Sequence, residues 1–141
     1  MKNESQNQLK VLLSGGGTLG SVMPLIAVAD ELKRQLGEET HCVWVGTYGG
    51  LERAVVRAHH IEFHAMMSVK WRRYRSWQNV FDIFYFPLVL IHALYILWSI
   101  KPNVVVSAGG FVSVPLHIIA WCMRIPTVVH HQDIETGLAN K

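Results

Sequence analysis

The sequence predicts an α/β fold in which a Rossmann-like, doubly wound parallel sheet forms the N-terminal half of a larger molecule. Short apolar runs alternate with segments of helical length along the 141 residues, which is typical of βαβ units joined by right-handed crossovers. The runs are continuously apolar rather than alternating, which fits strands covered on both faces. Two of the runs end in glycine-rich turns that lead into helices.

The first half of the chain alternates between predicted strands and helices. Residues 10–14 (KVLLS) form a strand, and residues 21–36 form a helix because apolar residues recur at helical spacing before Gly37. Three further elements follow: a strand over 41–46, a short helix over 50–60 and a strand over 61–67.

The second half begins with a long apolar segment, residues 77–100, which Pro87 divides. The run 103–110 (NVVVSAGG) repeats the design of a strand followed by glycines. A helix over 113–124 and a fifth strand over 127–131 complete the pattern. We therefore expect one domain over 10–141, preceded by a polar lead-in over 1–9.

Composition and residue spacing show no signal-peptide core, no CxxC pair and no metal-ligand pattern. The N-terminus is polar and has no signal-peptide core. Cys42 and Cys122 are far apart, form no CxxC pair, and suit small core residues in a reducing compartment. The formal net charge is +3, but four of the 13 basic residues lie in the block 70–75, so the rest of the chain is close to neutral. The histidines share no metal-ligand spacing, and we expect no protein-bound metal.

The glycine turns predict a ligand site. Both turns, and the polar residues after the fifth strand, fall at the carboxyl edge of the predicted sheet, where such folds bind ligands. A helix start behind a glycine turn offers free N–H groups that suit a phosphate, although glycines also simply close tight turns. The first turn is not a P-loop, since no Gly-Lys-Ser/Thr follows. A dehydrogenase-type nucleotide site is also disfavoured, because Gly46-Thr47 stands where an acidic residue is needed.

Four motifs together resemble the MurG family of N-acetylglucosaminyltransferases: GGGTLGSVMPLIAVADEL, GGFVSVP, IPTVVHHQD and GLANK. The resemblance runs from about residue 10 to the last residue and implies the acceptor-binding half of a GT-B enzyme. It implies an undecaprenyl-diphosphate-linked muramyl peptide as acceptor. No cofactor is expected on this half, since the donor UDP-GlcNAc would bind a C-terminal domain that this chain does not contain.

The resemblance also implies site residues. His131 stands at a glutamate position of the family and is the candidate base, since histidine exchanges protons near neutral pH. Asp133 could orient a histidine or cap the next segment. Thr18 and Ser21 could donate hydroxyls to a phosphate or cap the first helix. The expected acceptor and diphosphate contacts are Gly16, Gly17, Thr18, Gly20, Ser21, Gly109, Gly110, Phe111, Gln132 and Asn140.

Five positions differ from the family pattern, although the other glycines of the two turns are kept. His131 stands at the glutamate position and Asp133 at an asparagine position. Ser21 stands where the family has a histidine, and Leu19 replaces a glycine. Phe111 replaces a tyrosine and has no hydroxyl to donate.

The stretch 70–100 combines a basic cluster with a long apolar run whose only formal charge from residue 76 onward is Asp82. A membrane span, a core helix and a helix lying on a bilayer are the alternatives. A span would place the third and fourth strands on opposite sides of the membrane. Aromatic residues beside cations favour the interface, and the aliphatic run argues against nucleic acid. The expected contacts with an anionic inner leaflet are Lys70, Trp71, Arg72, Arg73, Arg75, Trp77, Phe81 and Phe84.

These observations predict a peripheral protein at the cytoplasmic face of the membrane. Its expected role is to hold the acceptor for an inverting transfer of N-acetylglucosamine, with a donor domain supplied in cis or in trans; alone it should be inactive. One alternative is a subunit of a split, two-chain transferase for exopolysaccharide or lipid-linked oligosaccharide. Another is a non-catalytic domain that binds lipid diphosphates.

Overall fold

A computed structural model describes residues 8–16, 19–37, 39–68 and 78–130, and the side chains of these residues except those of 78–84. The described elements, in chain order, are β1 (Lys10–Ser14), a single 3-10 turn (Leu19–Ser21), α1 (Val22–Leu36), β2 (His41–Thr47), α2 (Glu52–Ala58), β3 (Glu62–Met66), α3 (Gln78–Ile100), β4 (Val104–Ser107), α4 (Ser113–Cys122) and β5 (Thr127–Val129).

The five strands form one parallel sheet in the order β3-β2-β1-β4-β5. The chain first moves outward from β1 to β3, and α3 then carries it back across the sheet to β4. The direction of winding therefore reverses between β1 and β4. In open parallel sheets, ligands bind at the carboxyl edge beside such a reversal.

The core consists of two layers, one on each face of the sheet. Helices α1 and α2 cover one face, where Trp44 and Leu25 are fully buried. Helices α3 and α4 cover the other face around Leu12, Leu97 and Leu116. Because the buried residues of β1 and β2 supply both layers, their apolar runs are continuous, as the sequence predicted.

The predicted elements are all present, and the differences have physical causes. Pro87 does not divide the apolar segment, because α3 continues through it; Pro87 is exposed, on the outer side of the helix. Strand β5 is exposed along its length instead of covered on both faces, since among the described residues it has a neighbour only on its β4 side. Within the described residues, no helix has the length and hydropathy needed to cross a membrane.

Candidate functional site

The first glycine turn leaves the end of β1 and leads into α1. Trp44 is fully buried and donates its indole N–H to the Gly15 carbonyl oxygen at 3.2 Å, which fixes the start of the turn. Gly15 is buried, Gly16 is half-buried and Gly20 is exposed. Gly17 and Thr18 lie outside the described residues. The turn therefore presents backbone rather than side chains at the carboxyl edge.

The second glycine turn leaves β4 and leads into α4. Gly109 and Gly110 have φ values of 85° and 95°, a left-handed conformation that glycine adopts without strain. The Ser113 N–H donates to the Gly110 carbonyl at 3.1 Å, and Phe111 is half-buried in the turn. The family-like glycine pair is therefore required by the backbone conformation.

The two turns are in direct contact. A Cβ added at Gly110 would lie 2.8 Å from the Gly16 carbonyl oxygen, a distance that real Cβ atoms do not tolerate. The turns adjoin because β1 and β4 are neighbours in the sheet, at the point where its winding reverses. Helices α1 and α4 start behind them, and neither carries an acidic residue in its first turn. Two helix starts without an acidic residue in their own first turns suit an anion.

Buried serines connect the bases of the two turns. The hydroxyls of Ser14 and Ser113 lie 3.0 Å apart, and Ser113 Oγ also donates to the Gly109 carbonyl at 3.0 Å. The Ala108 N–H donates to the Ser14 carbonyl at 3.1 Å. Ser107 is also fully buried, and its hydroxyl has no hydrogen-bond partner among the described residues. These bonds hold the two turns at a fixed separation.

Glu52 lies beside the first glycine turn and was not predicted from the sequence. It is only 2% exposed, and its Oε1 accepts hydrogen bonds from the Thr47 N–H at 2.9 Å and the Thr47 hydroxyl at 2.7 Å. A Cβ added at Gly16 would lie 2.9 Å from Oε1, and one at Gly46 would lie 3.1 Å from it. The carboxylate therefore supports the first turn from below and ties it to the loop after β2.

Glu52 was missed because an acidic residue at a helix start normally indicates an exposed group near the helix dipole. The available signal was the cluster of glycines around it. Gly46 and Gly50 both pack against the carboxylate, and a Cβ at Gly50 would overlap it.

Ser21 does not have the capping role that the sequence suggested. It occupies the N-cap position of α1, but its side chain makes no capping hydrogen bond. Ser21 is half-buried at the inner end of the first turn.

The end of β5 adjoins the second turn. The His130 N–H donates to the Ser107 carbonyl at 2.6 Å, and His130 is exposed. The predicted residues that follow it, His131, Gln132, Asp133 and Asn140, lie outside the described residues, so their roles stay predictions. The structure thus brings the ends of β1, β4 and β5 together at one edge.

An apolar surface covers the outer side of α3 and α4, which pack side by side. Between residues 85 and 100 the chain has no formal charge. The exposed fractions are 62% for Ile91, 67% for Tyr95, 69% for Trp98 and 80% for Trp121. We call these four residues the outer apolar face. Trp121 was missed because its segment was interpreted as a helix without regard to which side faced outward.

The predicted membrane contacts are only partly covered by the structure. The basic cluster and its neighbouring tryptophans (Lys70, Trp71, Arg72, Arg73, Arg75, Trp77) lie outside the described residues. Phe81 and Phe84 lie in the first part of α3, where side chains are not described.

Comparison with known proteins identifies the family. Residues 11–141 match the N-terminal domain of glycosyltransferase family 28. This chain belongs to glycosyltransferase family 28. The family resemblance in the motifs is therefore confirmed.

Curated relatives in the family share one printed name: UDP-N-acetylglucosamine–N-acetylmuramyl-(pentapeptide) pyrophosphoryl-undecaprenol N-acetylglucosamine transferase. The protein from Treponema pallidum (strain Nichols) is 41% identical over 138 residues, which are 97% of this chain and 35% of that protein. The one from Legionella pneumophila (strain Corby) is 39% identical over 131 residues, or 93% of this chain and 35% of that protein. This chain thus spans about a third of the length of these family members.

Solved structures agree with the family assignment. The crystal structure of MurG from Acinetobacter baumannii matches with a TM-score of 0.75 and 25% identity, covering 94% of this chain and 37% of that one. The glycosyltransferase of kitacinnamycin matches with a TM-score of 0.57 at 14% identity, covering 86% of this chain and 30% of that one, and shows the shared fold alone. The fold is therefore the Rossmann-like half of a GT-B transferase.

Proposed function

We propose that this chain is the acceptor-binding half of an inverting glycosyltransferase at the cytoplasmic face of the membrane. The complete enzyme would move N-acetylglucosamine from UDP-GlcNAc to the muramyl pentapeptide of an undecaprenyl-diphosphate lipid, the reaction that the relatives' names describe. The donor would bind a second domain, joined to this half in cis or in trans.

The observation that carries the proposal is the contact between the two glycine turns. Gly16 and Gly110 meet at the point where the winding of the sheet reverses, and two helix starts without first-turn acids lie behind them. Bare backbone lets a diphosphate come close, and the N–H groups at the helix starts stabilise its charge. The outer apolar face lies on helices of the same half, which supports a lipid-linked acceptor.

The chemistry assigns different tasks to the two halves. This half would hold the acceptor diphosphate at the glycine turns, with the lipid tail toward the membrane. His131 would take the proton from the attacking sugar hydroxyl, and Asp133 would orient a histidine. UDP would leave on the donor side, where the second domain stabilises its charge. Holding the two substrates in line contributes roughly 7–11 kcal/mol to the barrier reduction, which explains why one half alone should be inactive.

Binding of inorganic diphosphate to the chain, measured by isothermal titration calorimetry, tests the proposed site. Gly20 is exposed in the 3-10 turn Leu19–Ser21, a helical conformation that residues other than glycine also adopt. Gly20→Asp places a negative charge at the first turn and should weaken diphosphate binding about tenfold or more. Gly20→Asn is the matched neutral control and should bind within about threefold of the unaltered chain.

Two results would count against the proposal. The first is a folded chain that does not bind diphosphate at millimolar concentration. The second is equal binding by the Asp and Asn variants, which would place the anion elsewhere. Circular dichroism of each variant confirms that the comparison is made between folded proteins.

A further inference from the structure

A separate pocket lies at the carboxyl edge of β2 and β3, beside the glycine turns. Its volume is about 470 Å³, within the range of small-molecule sites. It is formed by the loop after β2, the end of β3 and the side of α3. The Tyr85 hydroxyl donates to the Met67 sulfur at 3.2 Å and joins α3 to the end of β3 there.

The residues around this pocket favour an uncharged, flexible occupant. None of the described residues that line it carries a charge. Tyr48 is 60% exposed and Leu51 is 73% exposed, so the rim presents apolar surface to solvent. Met67 lines the pocket and is 38% exposed, and a methionine side chain adapts to irregular apolar shapes. The described lining offers hydroxyl and backbone groups but no charged side chain, so a carboxylate or an amine would find no counter-ion in it.

The position of the pocket connects the two parts of the proposed acceptor site. Thr47 lines the pocket and is hydrogen-bonded to Glu52, which also contacts the first glycine turn. Tyr85 lines its other side and lies on α3, the helix that carries most of the outer apolar face. The pocket therefore lies between the glycine turns and the helix proposed to meet the membrane.

We propose that this pocket binds the isoprene units next to the diphosphate of a polyprenyl-diphosphate lipid. The inference rests on the proposed function, because the diphosphate itself would be held at the glycine turns. The apolar chain fills the uncharged pocket, and the rest of the lipid continues along α3 into the bilayer. The pocket thus recognises the lipid part of the acceptor rather than its sugar or peptide.

Binding of farnesyl diphosphate, compared with inorganic diphosphate, tests this pocket. Burial of the prenyl chain should make farnesyl diphosphate bind about tenfold or more tightly than inorganic diphosphate. Gly49 lines the pocket, has no left-handed φ, and a Cβ added to it meets nothing within 4 Å. Gly49→Trp should therefore fill the pocket and remove the farnesyl advantage without changing binding of inorganic diphosphate.

Two further variants complete the design. Gly49→Ala adds a Cβ without filling the pocket and is the matched control, expected to keep the farnesyl advantage. Ser68→Trp blocks the pocket from the other side. It should remove the farnesyl advantage even if the tryptophan at position 49 turns toward solvent and leaves the pocket open.

The outcomes separate this inference from the proposed function. The pocket is not a prenyl site if farnesyl diphosphate binds no more tightly than inorganic diphosphate, or if both tryptophan variants still bind farnesyl diphosphate more tightly. In either case, binding of inorganic diphosphate would leave the proposed function standing. If farnesyl diphosphate binds through the pocket while inorganic diphosphate does not bind at all, the prenyl site is supported and the diphosphate site is wrong. If Gly49→Trp abolished binding of a lipid-free muramyl peptide, the pocket would be a peptide site and the inference would be overturned.

Discussion

At the scale of single residues, Glu52 contributes to the site in a way that side-chain type alone does not reveal. A buried carboxylate stabilises a fold when its oxygens are hydrogen-bonded and destabilises it otherwise. Here the backbone N–H and the hydroxyl of Thr47 both donate to Oε1. The surrounding glycines leave room for the carboxylate beneath the first turn. Glu52 is therefore part of the structure that positions Gly16.

Replacing Glu52 tests this structural role. Glu52→Ala leaves the half-buried Thr47 donors without their acceptor and opens a space where the buried side chain was. It should lower the free energy of unfolding by about 1–3 kcal/mol. Glu52→Gln keeps a carbonyl oxygen for both donors and should cost less. Urea unfolding measures the difference. Glu31→Ala is the control, because that glutamate is exposed and pairs with Arg34 on the surface, and it should change stability little. Equal stability of the Glu52→Ala and Glu31→Ala variants would contradict the role.

His117 on α4 gives a pH dependence whose sign follows from its burial. Its Nε2 is buried and has no hydrogen-bond partner among the described residues, and burial lowers the pKa of His117 below its ordinary value. The unfolded chain therefore takes up a proton first, and stability should fall as the pH drops below about 6.5. His117→Leu should reduce this fall between pH 7 and pH 5, measured by thermal unfolding. An identical pH profile in both proteins would show that His117 does not contribute.

The residue scale also shows the limit of sequence reasoning. The glycine turns were predicted, because strand-glycine-helix patterns appear directly in the sequence. The contact between Gly16 and Gly110 was not, because it depends on β1 and β4 being neighbours although residues 15–103 lie between the two strands in the chain. The buried serines and Glu52 were missed because a polar residue looks the same in the sequence whether its side chain faces solvent or the core.

At the scale of secondary-structure elements, periodicity predicted the type and order of every strand and helix. Ends differed by one or two residues at most positions, because helix ends depend on local hydrogen bonds that periodicity does not report. Pro87 was expected to divide an apolar segment that the structure shows as one helix. Exposure of β5 was also unexpected, because the composition of a strand does not show whether it lies at the edge of the sheet among the described residues.

The outer apolar face on α3 and α4 predicts membrane binding through exposed tryptophans. Trp98→Ala and Trp121→Ala should each weaken binding to vesicles that contain anionic lipid by about tenfold, since each removes a large buried apolar area from the bound state. Co-sedimentation measures the partition. Met23→Ala is the matched control, because Met23 is 55% exposed on α1, the helix on the opposite side of the sheet. Similar losses for all three variants would show that membrane binding does not use this face.

We expect the basic cluster to add an electrostatic contribution to the same binding. Changing Arg72, Arg73 and Arg75 to glutamate should weaken vesicle binding further, and added salt should weaken binding of the unaltered chain by screening. The same co-sedimentation assay with neutral vesicles gives the apolar part alone. Equal affinity for neutral and anionic vesicles would show that the basic cluster does not contribute to membrane binding.

At the scale of the whole molecule, the chain is one Rossmann-like unit that spans about a third of its relatives' length. The sheet reverses its winding between β1 and β4, so the two glycine turns meet at its carboxyl edge, with the pocket lined by Thr47 and Met67 beside them. The outer apolar face lies instead on the helices that cover one face of the sheet. This arrangement suits a half-enzyme that presents a lipid-linked acceptor to a donor domain. We expect the departures at Ser21, Phe111 and His131 to affect acceptor binding or catalysis more than the fold.

Transfer of N-acetylglucosamine by a hybrid enzyme is the decisive test of the proposed function. In the hybrid, residues 11–141 replace the matching segment of the Treponema pallidum relative. The assay follows radiolabelled UDP-GlcNAc and an undecaprenyl-diphosphate-linked muramyl pentapeptide. We expect turnover by the hybrid and none by this chain alone. In the hybrid, His131→Ala should lower the rate about a hundredfold or more if His131 is the base. Ser21→Ala should lower the rate less. Transfer by residues 1–141 alone, or a folded hybrid that binds the lipid acceptor but never transfers, would contradict the claim.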